Sequence, residues 1–164
     1  MKYPLKVLLI LTPVVLILDQ WTKHLVVRSM ELGERIPVIA GYFDIVHVRN
    51  TGAAFGMLAD SHPAFRIPFF YGISFIALGV LAYFFWKIRD NERFFSFPLS
   101  LVTAGVLGNL IDRFRYGNVV DFVSWHIQHR FEWPAFNVAD SAITISMALI
   151  LLSAFRSDRS LGQK

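Results

Sequence analysis

Cysteine is absent from this chain of 164 residues, and charged residues are scarce. The lack of cysteine excludes disulfide bonds, thiolate metal sites and a cysteine nucleophile, and it also excludes attachment of a lipid to a cysteine of the chain itself. Only 17% of the residues are charged and 55% are hydrophobic, whereas an ordinary soluble domain carries about 25% charged residues. In a chain this apolar, the net charge of +4 indicates contact with a membrane rather than with nucleic acid.

Four apolar stretches are long enough to cross a bilayer as helices, which takes about 20 residues each. We therefore expect an all-α integral membrane protein in which residues 1–164 form a single domain. The first stretch is not followed by a small-residue cleavage pattern, so we expect it to remain as a membrane helix. The predicted spans are residues 7–27, 67–86, 94–111 and 136–155, and the predicted long loops are residues 28–66 and 112–135.

The distribution of lysine and arginine favours one orientation of these spans. Four spans place both termini on one side, where the short segments hold eight Lys and Arg in 22 residues. The two long loops on the opposite side hold seven in 63 residues. Because short basic loops stay in the cytoplasm, we expect cytoplasmic termini and long loops on the outer side.

Polar residues are concentrated near the outer ends of three spans. They recur at helical spacing within each span, so each set forms one stripe on one helix face. Three such stripes can face one another, which predicts a polar site near the outer face of the membrane; polar stripes that only join helices remain the alternative. The residues are Asp19 and Lys23 in the first span, Asn109 and Asp112 at the end of the third, and Asn137 and Asp140 in the fourth.

The first long loop is predicted to be partly ordered. Residues 36–39 and 42–46 are β-prone and are separated by Ala40-Gly41, which predicts a small patch of two or three strands at the membrane surface. Residues 50–58 are typical of a turn that opens a short interfacial helix. Since this segment contains two glycines, we also consider Gly52–Leu58 as a lid that moves over the site, with a static anchor as the alternative.

A carboxylate near the bilayer is energetically costly, so each one is a candidate functional group. Two of them have basic neighbours along the chain. Asp19 and Lys23 are four residues apart on one helix face, which favours an ion pair. Asp112 precedes Arg113 and Arg115, and an ion pair at the helix end would explain it. We interpret Asp19, Lys23 and Asp112 as structural residues close to the site.

Asp121 and Asp140 have no such partners nearby in the sequence, and they are the better candidates for acid–base chemistry. Two carboxylates held close together ionise unequally, so one keeps a proton and the other is a base. Such a pair can activate water and protonate a leaving amine. The five histidines are scattered, and the sequence has no metal-ligand spacing, phosphate loop or dinucleotide motif. We therefore expect neither a metal nor a cofactor.

Five segments together resemble the motifs of the lipoprotein signal peptidase (signal peptidase II) family, in order along the chain. The resemblance covers all four predicted spans. The segments are Asp19–Lys23, Asn50–Gly56, Gly108–Arg113, Gly117–Phe122 and Phe136–Ser141.

The resemblance implies an aspartic endopeptidase of the bacterial inner membrane. It would remove the signal peptide from prolipoproteins, just before a cysteine that already carries diacylglycerol, and its partners would be these precursors and membrane lipids. The family's catalytic dyad falls on Asp121 and Asp140. We expect a monomer with its site near the periplasmic face. Residues that match the family's substrate site are Asn50, Asn109, Arg113, Asn137 and Ala139.

Two other classes of function remain as alternatives. A small ion-coupled transporter could use Asp19, Lys23 and Asp140 as a relay, although the sequence has no inverted repeat. A non-catalytic membrane scaffold would leave the buried acids without a role. Both alternatives predict no cleavage of a lipidated precursor.

Overall fold

The computed structural model describes residues 2–52, 57–89, 93–128 and 130–161, with side chains as far as Ser153. Four helices dominate this part of the chain, and four strands form a small antiparallel sheet at one end of them. The helices are α1 (Tyr3–Ser29), α2 (Pro63–Lys87), α3 (Arg93–Tyr116) and α4 (Val138–Leu161), and the strands are β1 (Arg35–Ile39), β2 (Phe43–Asn50), β3 (Val119–Ile127) and β4 (Phe131–Glu132).

Three helices, α1, α2 and α3, are long and apolar enough to cross a membrane. The apolar part of α4, Val138–Ser153, is shorter. Many large apolar side chains of these helices point outward; Ile10, Ile17 and Trp86 are about 70% exposed (68%, 68% and 73%). Such a surface is unfavourable in water but not against lipid tails.

Helix α3 lies at the centre of the bundle, and small residues lie where it packs against α1 and α4. Ser96 and Ser100 are fully buried, and Thr12 of α1 donates a hydrogen bond to the Ser100 carbonyl oxygen at 3.0 Å. A Cβ atom at Gly105 would lie 2.5 Å from the Ala139 carbonyl oxygen, and one at Gly108 would lie 2.5 Å from Asp19 Oδ2. These glycines therefore allow α1 and α4 to approach α3 closely.

The sheet is larger than the predicted patch. The strand order is β1-β2-β3-β4, so the β1–β2 hairpin predicted in the first loop is confirmed. Its turn contains Gly41, whose φ of +81° suits glycine. The prediction missed β3, which lies in the second long loop and pairs with β2 along most of its length. The two loops thus form one unit.

The sheet is attached to the helices by apolar contacts. Val120 and Phe122 of β3 pack against Val26 and Met30 at the end of α1. Two backbone hydrogen bonds from β3 to the Phe136 carbonyl oxygen, 3.1 and 2.9 Å long, tie the sheet to the chain just before α4. These contacts fix the positions of β3 and of the first turn of α4 relative to each other.

The predicted interfacial helix or lid over residues 50–58 falls partly on residues 53–56, which lie outside the described residues. Residues 57–60 form a turn.

Candidate active site

Asp121 reaches the site from β3. It is the third residue of that strand, and it is 1% exposed. Its strand partner β2 ends at Asn50, whose Nδ2 donates a hydrogen bond to Asp121 Oδ2 at 3.0 Å. The pairing of the two long loops therefore brings Asn50 to this carboxylate.

Asp140 reaches the site from the first turn of α4. Asn137 is the residue before the helix, and its Oδ1 accepts a hydrogen bond from the Asp140 backbone N–H at 2.8 Å. In return Asp140 Oδ2 accepts from the Asn137 N–H at 3.3 Å. This reciprocal capping satisfies two N–H groups that the helix start leaves without helical partners. It also holds the Asp140 carboxylate at the N-terminus of α4.

Neutral amides connect the two carboxylates. Asn137 Nδ2 donates to Asp121 Oδ1 at 2.7 Å and to Asn109 Oδ1 at 3.2 Å. Asn109 Nδ2 in turn donates to Asp140 Oδ1 at 2.8 Å. Both carboxylates therefore accept hydrogen bonds from side chains without charge. The three polar stripes predicted from helical spacing do meet at one centre.

Burial raises the pKa of Asp121 to about 7, and the nearby Asp140 carboxylate adds to the effect. The hydrogen bonds from Asn50 and Asn137 oppose the shift. The raised pKa follows from the surroundings, because an ionised group loses hydration on burial and is repelled by a like charge. A carboxyl group in this state can hold a proton near neutral pH.

A buried cation lies behind the two acids. Lys23 Nζ lies 2.9 Å from Asp19 Oδ2 and 3.0 Å from Asp112 Oδ2, and it donates to Asn109 Oδ1 at 3.1 Å. The predicted Asp19–Lys23 pair is confirmed. The predicted pairing of Asp112 with an arginine is wrong, because Asp112 points inward to Lys23.

The two neighbouring arginines point elsewhere. Arg115 donates to Gln20 Oε1 at 3.2 Å. The Arg113 guanidinium stacks 4.7 Å from the centre of the Phe70 ring and reaches the Gly52 carbonyl oxygen at 3.4 Å.

The carboxylates that pair with Lys23 also hold the backbone beside the other two acids. Asp112 Oδ2 accepts from the Val120 N–H at 3.0 Å, one residue before Asp121. Asp19 Oδ1 accepts from the Ala139 N–H at 2.9 Å, one residue before Asp140. The ion-pair cluster thus fixes the backbone at both carboxylates.

A groove of about 1140 Å³ opens at this centre between α2, α3, α4 and the sheet, with mainly apolar walls. Asp121, Asp140, Asn50, Asn109 and Arg113 line it. The other two predicted substrate-site residues lie behind this wall. Asn137 is 1% exposed and Ala139 is fully buried against α3.

Sequence reasoning missed Gln20. Its Nε2 donates to Asp112 Oδ1 at 3.0 Å and to Asp19 Oδ2 at 3.2 Å, so it joins the ion-pair cluster. The signal was present, since a glutamine beside an aspartate inside an apolar span needs polar partners.

The family model for signal peptidase (SPase) II matches residues 11–156 of this chain. The lipoprotein signal peptidase of Geobacter sulfurreducens is 50% identical over 146 residues, which cover 88% of each chain. The lipoprotein signal peptidase of Syntrophotalea carbinolica is 44% identical over 151 residues, which cover 92% of each chain.

Two solved structures, both described as bacterial membrane enzymes studied by the in meso method, have a similar fold. One has a TM-score of 0.82 and 37% identity, with 92% of this chain and 88% of that chain covered. The other has a TM-score of 0.79 and 36% identity, with 90% of this chain and 91% of that chain covered. These likenesses favour the peptidase interpretation over the transporter and the scaffold. The chain belongs to the signal peptidase II family, and it is an aspartic peptidase that acts on lipoprotein precursors.

Proposed function

We propose that Asp121 and Asp140 are the catalytic dyad of this peptidase. The observation that carries the proposal is the contrast in their surroundings: both are held by neutral amides at the wall of one groove, whereas Asp19 and Asp112 are paired with a lysine. A carboxylate that no cation contacts directly can change its protonation state during a reaction.

The dyad hydrolyses the peptide bond with a single water molecule. The ionised carboxylate removes a proton from the water as its oxygen attacks the scissile carbonyl carbon. The protonated carboxyl group then gives its proton to the amide nitrogen as the C–N bond breaks. The raised pKa of Asp121 keeps a proton available for this step near neutral pH. The chemistry uses neither a metal nor a covalent intermediate.

Asn50, Asn109 and Arg113 bind the substrate chain along the groove, where their amide and guanidinium groups are placed beside the dyad. Asn137 holds the two carboxylates in position rather than meeting the substrate, because it lies behind them. Ala139 gives α4 its close approach to α3. Asp19, Lys23 and Asp112 are positioning residues that act through the backbone N–H groups at Val120 and Ala139.

The substrate is a precursor whose cysteine carries diacylglycerol, and cleavage falls just before that cysteine. The apolar walls of the groove suit a signal-peptide helix and two acyl chains, which would enter sideways from the lipid. We place the enzyme in the bacterial inner membrane as a monomer with four spans. Its termini are cytoplasmic and its dyad lies near the periplasmic face, in accord with the distribution of basic residues.

Purified full-length protein tests the substrate assignment. We expect it to release the signal peptide from a diacylglyceryl-modified precursor, with mass spectrometry placing the cut directly before the modified cysteine. The same precursor without the lipid is the matched control and should remain uncut. Equal cleavage of both precursors would contradict the lipid requirement, and a cut elsewhere would contradict the proposed position.

A further inference from the structure

The proposed reaction gives no role to Gln20, although its side chain lies inside the ion-pair cluster. Gln20 belongs to α1 and directly follows Asp19 in the chain. Its Nε2 donates hydrogen bonds to Asp112 Oδ1 at 3.0 Å and to Asp19 Oδ2 at 3.2 Å, and it also lies 3.2 Å from the Gly108 carbonyl oxygen. One neutral amide group therefore contacts both carboxylates that pair with Lys23.

Asp112 depends on this amide for its orientation. Its Oδ2 contacts Lys23 Nζ at 3.0 Å and accepts a hydrogen bond from the Val120 N–H at 3.0 Å. Its Oδ1 accepts from Gln20, which is the only donor to that oxygen within the part of the chain that the structure describes. Asp112 is almost completely buried, and a buried acceptor that loses its donor is costly. Without the amide, the Asp112 carboxylate would therefore turn toward another partner.

The amide itself is oriented from the surface of the bundle. Arg115 is exposed in the last turn of α3, and its Nη1 donates a hydrogen bond to Gln20 Oε1 at 3.2 Å. Because the oxygen of the amide accepts from the guanidinium, its NH2 group faces the two carboxylates. A reversed amide would place an oxygen atom against Asp112 and would have no hydrogen to donate there.

We propose that Gln20 is a positioning residue for the catalytic step and that Arg115 acts through it. Val120 directly precedes Asp121, so an Asp112 carboxylate that turns away releases the backbone N–H beside Asp121. The Asp121 carboxylate is then less well placed in the groove, and a small displacement of a reacting group slows a reaction strongly. Gln20 does not line the groove, so its effect falls on kcat rather than on substrate binding. The proposal rests on the dyad proposed above.

Steady-state kinetics of the full-length protein with a diacylglyceryl-modified precursor test the role of Gln20. Gln20→Met keeps the length of the side chain and removes the amide. It should lower kcat by about tenfold and leave KM unchanged. Gln128→Met is the matched control, because it makes the same change at an exposed turn position, and it should keep the wild-type kcat. An unchanged kcat in Gln20→Met would overturn the proposal. A loss that appears in KM instead would also overturn it, because it would show substrate binding.

Arg115→Met gives an answer even if Gln20→Met fails to fold, because Arg115 is exposed. It should lower kcat by about two- to fivefold, since the amide of Gln20 is then free to turn. Arg28→Met, at an exposed arginine in the last turn of α1, is the control and should keep the wild-type kcat. A wild-type kcat in Arg115→Met, or an equal loss in both arginine variants, would overturn the proposal.

The double variant Gln20→Met/Arg115→Met tests whether Arg115 acts through Gln20. Its kcat should equal that of Gln20→Met alone, because residues that act through one contact are not additive. Losses that add would mean that Arg115 acts independently of Gln20 and would overturn this part of the proposal.

Two sets of variants separate failure of this proposal from failure of the dyad. If Asp121 and Asp140 are not the dyad, Asp121→Asn and Asp140→Asn still cleave the precursor. If only the role of Gln20 is wrong, those two variants are inactive and Gln20→Met cleaves at the wild-type rate.

Discussion

Two pairs of carboxylates lie in the polar centre of this enzyme, and they have opposite surroundings. Asp19 and Asp112 both contact Lys23 Nζ, at 2.9 and 3.0 Å. Asp121 and Asp140 both accept hydrogen bonds from asparagine side chains. The first pair thus shares one cation within contact distance, whereas the second pair is contacted by amide groups and has Lys23 only as a more distant charge.

The contrast shows how one small volume can surround two pairs of acids with different groups. Contact with a buried lysine holds Asp19 and Asp112 in place, so each can serve as a rigid hydrogen-bond acceptor for a backbone N–H group. An amide donor orients a carboxylate without cancelling its charge, and at Asp121 burial raises the pKa by more than the hydrogen bonds from Asn50 and Asn137 lower it. Contact with a cation or with an amide therefore distinguishes the acids suited to a structural role from those suited to catalysis.

The largest effect is expected when Asp121 or Asp140 is replaced. Asp121→Asn or Asp140→Asn should lower the rate of precursor cleavage by about 10³-fold, because each removes one partner in proton transfer. Both variants should stay folded in the membrane, since each loses a charge that burial disfavours. Asp60→Asn, an equal change at an exposed turn position, should cleave at the wild-type rate. Normal turnover in either dyad variant would remove that residue from the mechanism.

Replacing the shared cation should affect stability instead. Lys23→Met leaves two buried carboxylates without a cation in contact, and it should lower the free energy of unfolding by roughly 3–5 kcal/mol. Adding Asp112→Asn to this variant should recover part of the lost free energy of unfolding, because one of the two buried negative charges is removed. Thermal unfolding in detergent measures both changes. A Lys23→Met protein that melts as the wild type does would contradict the structural role.

Asp121 should also make the stability of the protein depend on pH. Asp121 has a pKa of about 7 in the folded protein, whereas an aspartate exposed to water has a pKa of 3.8. Between these values the folded chain binds a proton that the unfolded chain does not, so the free energy of unfolding should fall as pH rises from about 4 to about 7. The fall attributable to Asp121 should be roughly 2–4 kcal/mol.

Melting temperatures of the wild type and Asp121→Asn across this pH range check the assignment. The variant should show a shallower fall, whereas Asp60→Asn should keep the wild-type slope. An unchanged slope in Asp121→Asn would mean that Asp121 titrates normally.

The smallest effect is expected when a larger residue is placed beside Asp19. A Cβ atom at Gly108 would lie 2.5 Å from Asp19 Oδ2, so Gly108→Ala should cost about 1–3 kcal/mol of unfolding free energy through overpacking. Gly79→Ala is the matched control. Gly79 lies inside α2 with nothing within 4 Å of the added atom, so alanine there should be neutral or slightly stabilising. Equal melting temperatures for the two variants would show that α1 can move aside.

The sequence predicted the parts of this arrangement that depend on near neighbours. Asp19 and Lys23 share a helix face by spacing alone, and the β1–β2 hairpin closes over a short turn. The sequence did not predict the partner of Asp112, because Lys23 is far away along the chain. Helix periodicity also turns Arg113 away from Asp112, since consecutive residues do not share a face.

Pairing of the two loops was missed for a related reason. Asn50 and Val119 are register partners in the sheet although nearly seventy residues separate them. Strand propensity does not identify a distant partner. The backbone hydrogen bonds at Val120 and Ala139 depend in turn on that pairing and on helix packing, so only the folded chain reveals them.

The spacing of Asp19 and Lys23 has a consequence for how the protein enters the membrane. Helix α1 is made first during synthesis, before α3 exists to supply Asp112. Because its anion and cation are one helical turn apart, α1 carries its own counter-ion and can insert as a segment without net charge at that depth. Each charge alone would add to the cost of insertion, by up to about 2.5–3.5 kcal/mol at the centre of the bilayer. The negative charge of Asp112 then joins an existing pair, so the biogenesis of the helix bundle never requires an isolated lysine in the bilayer.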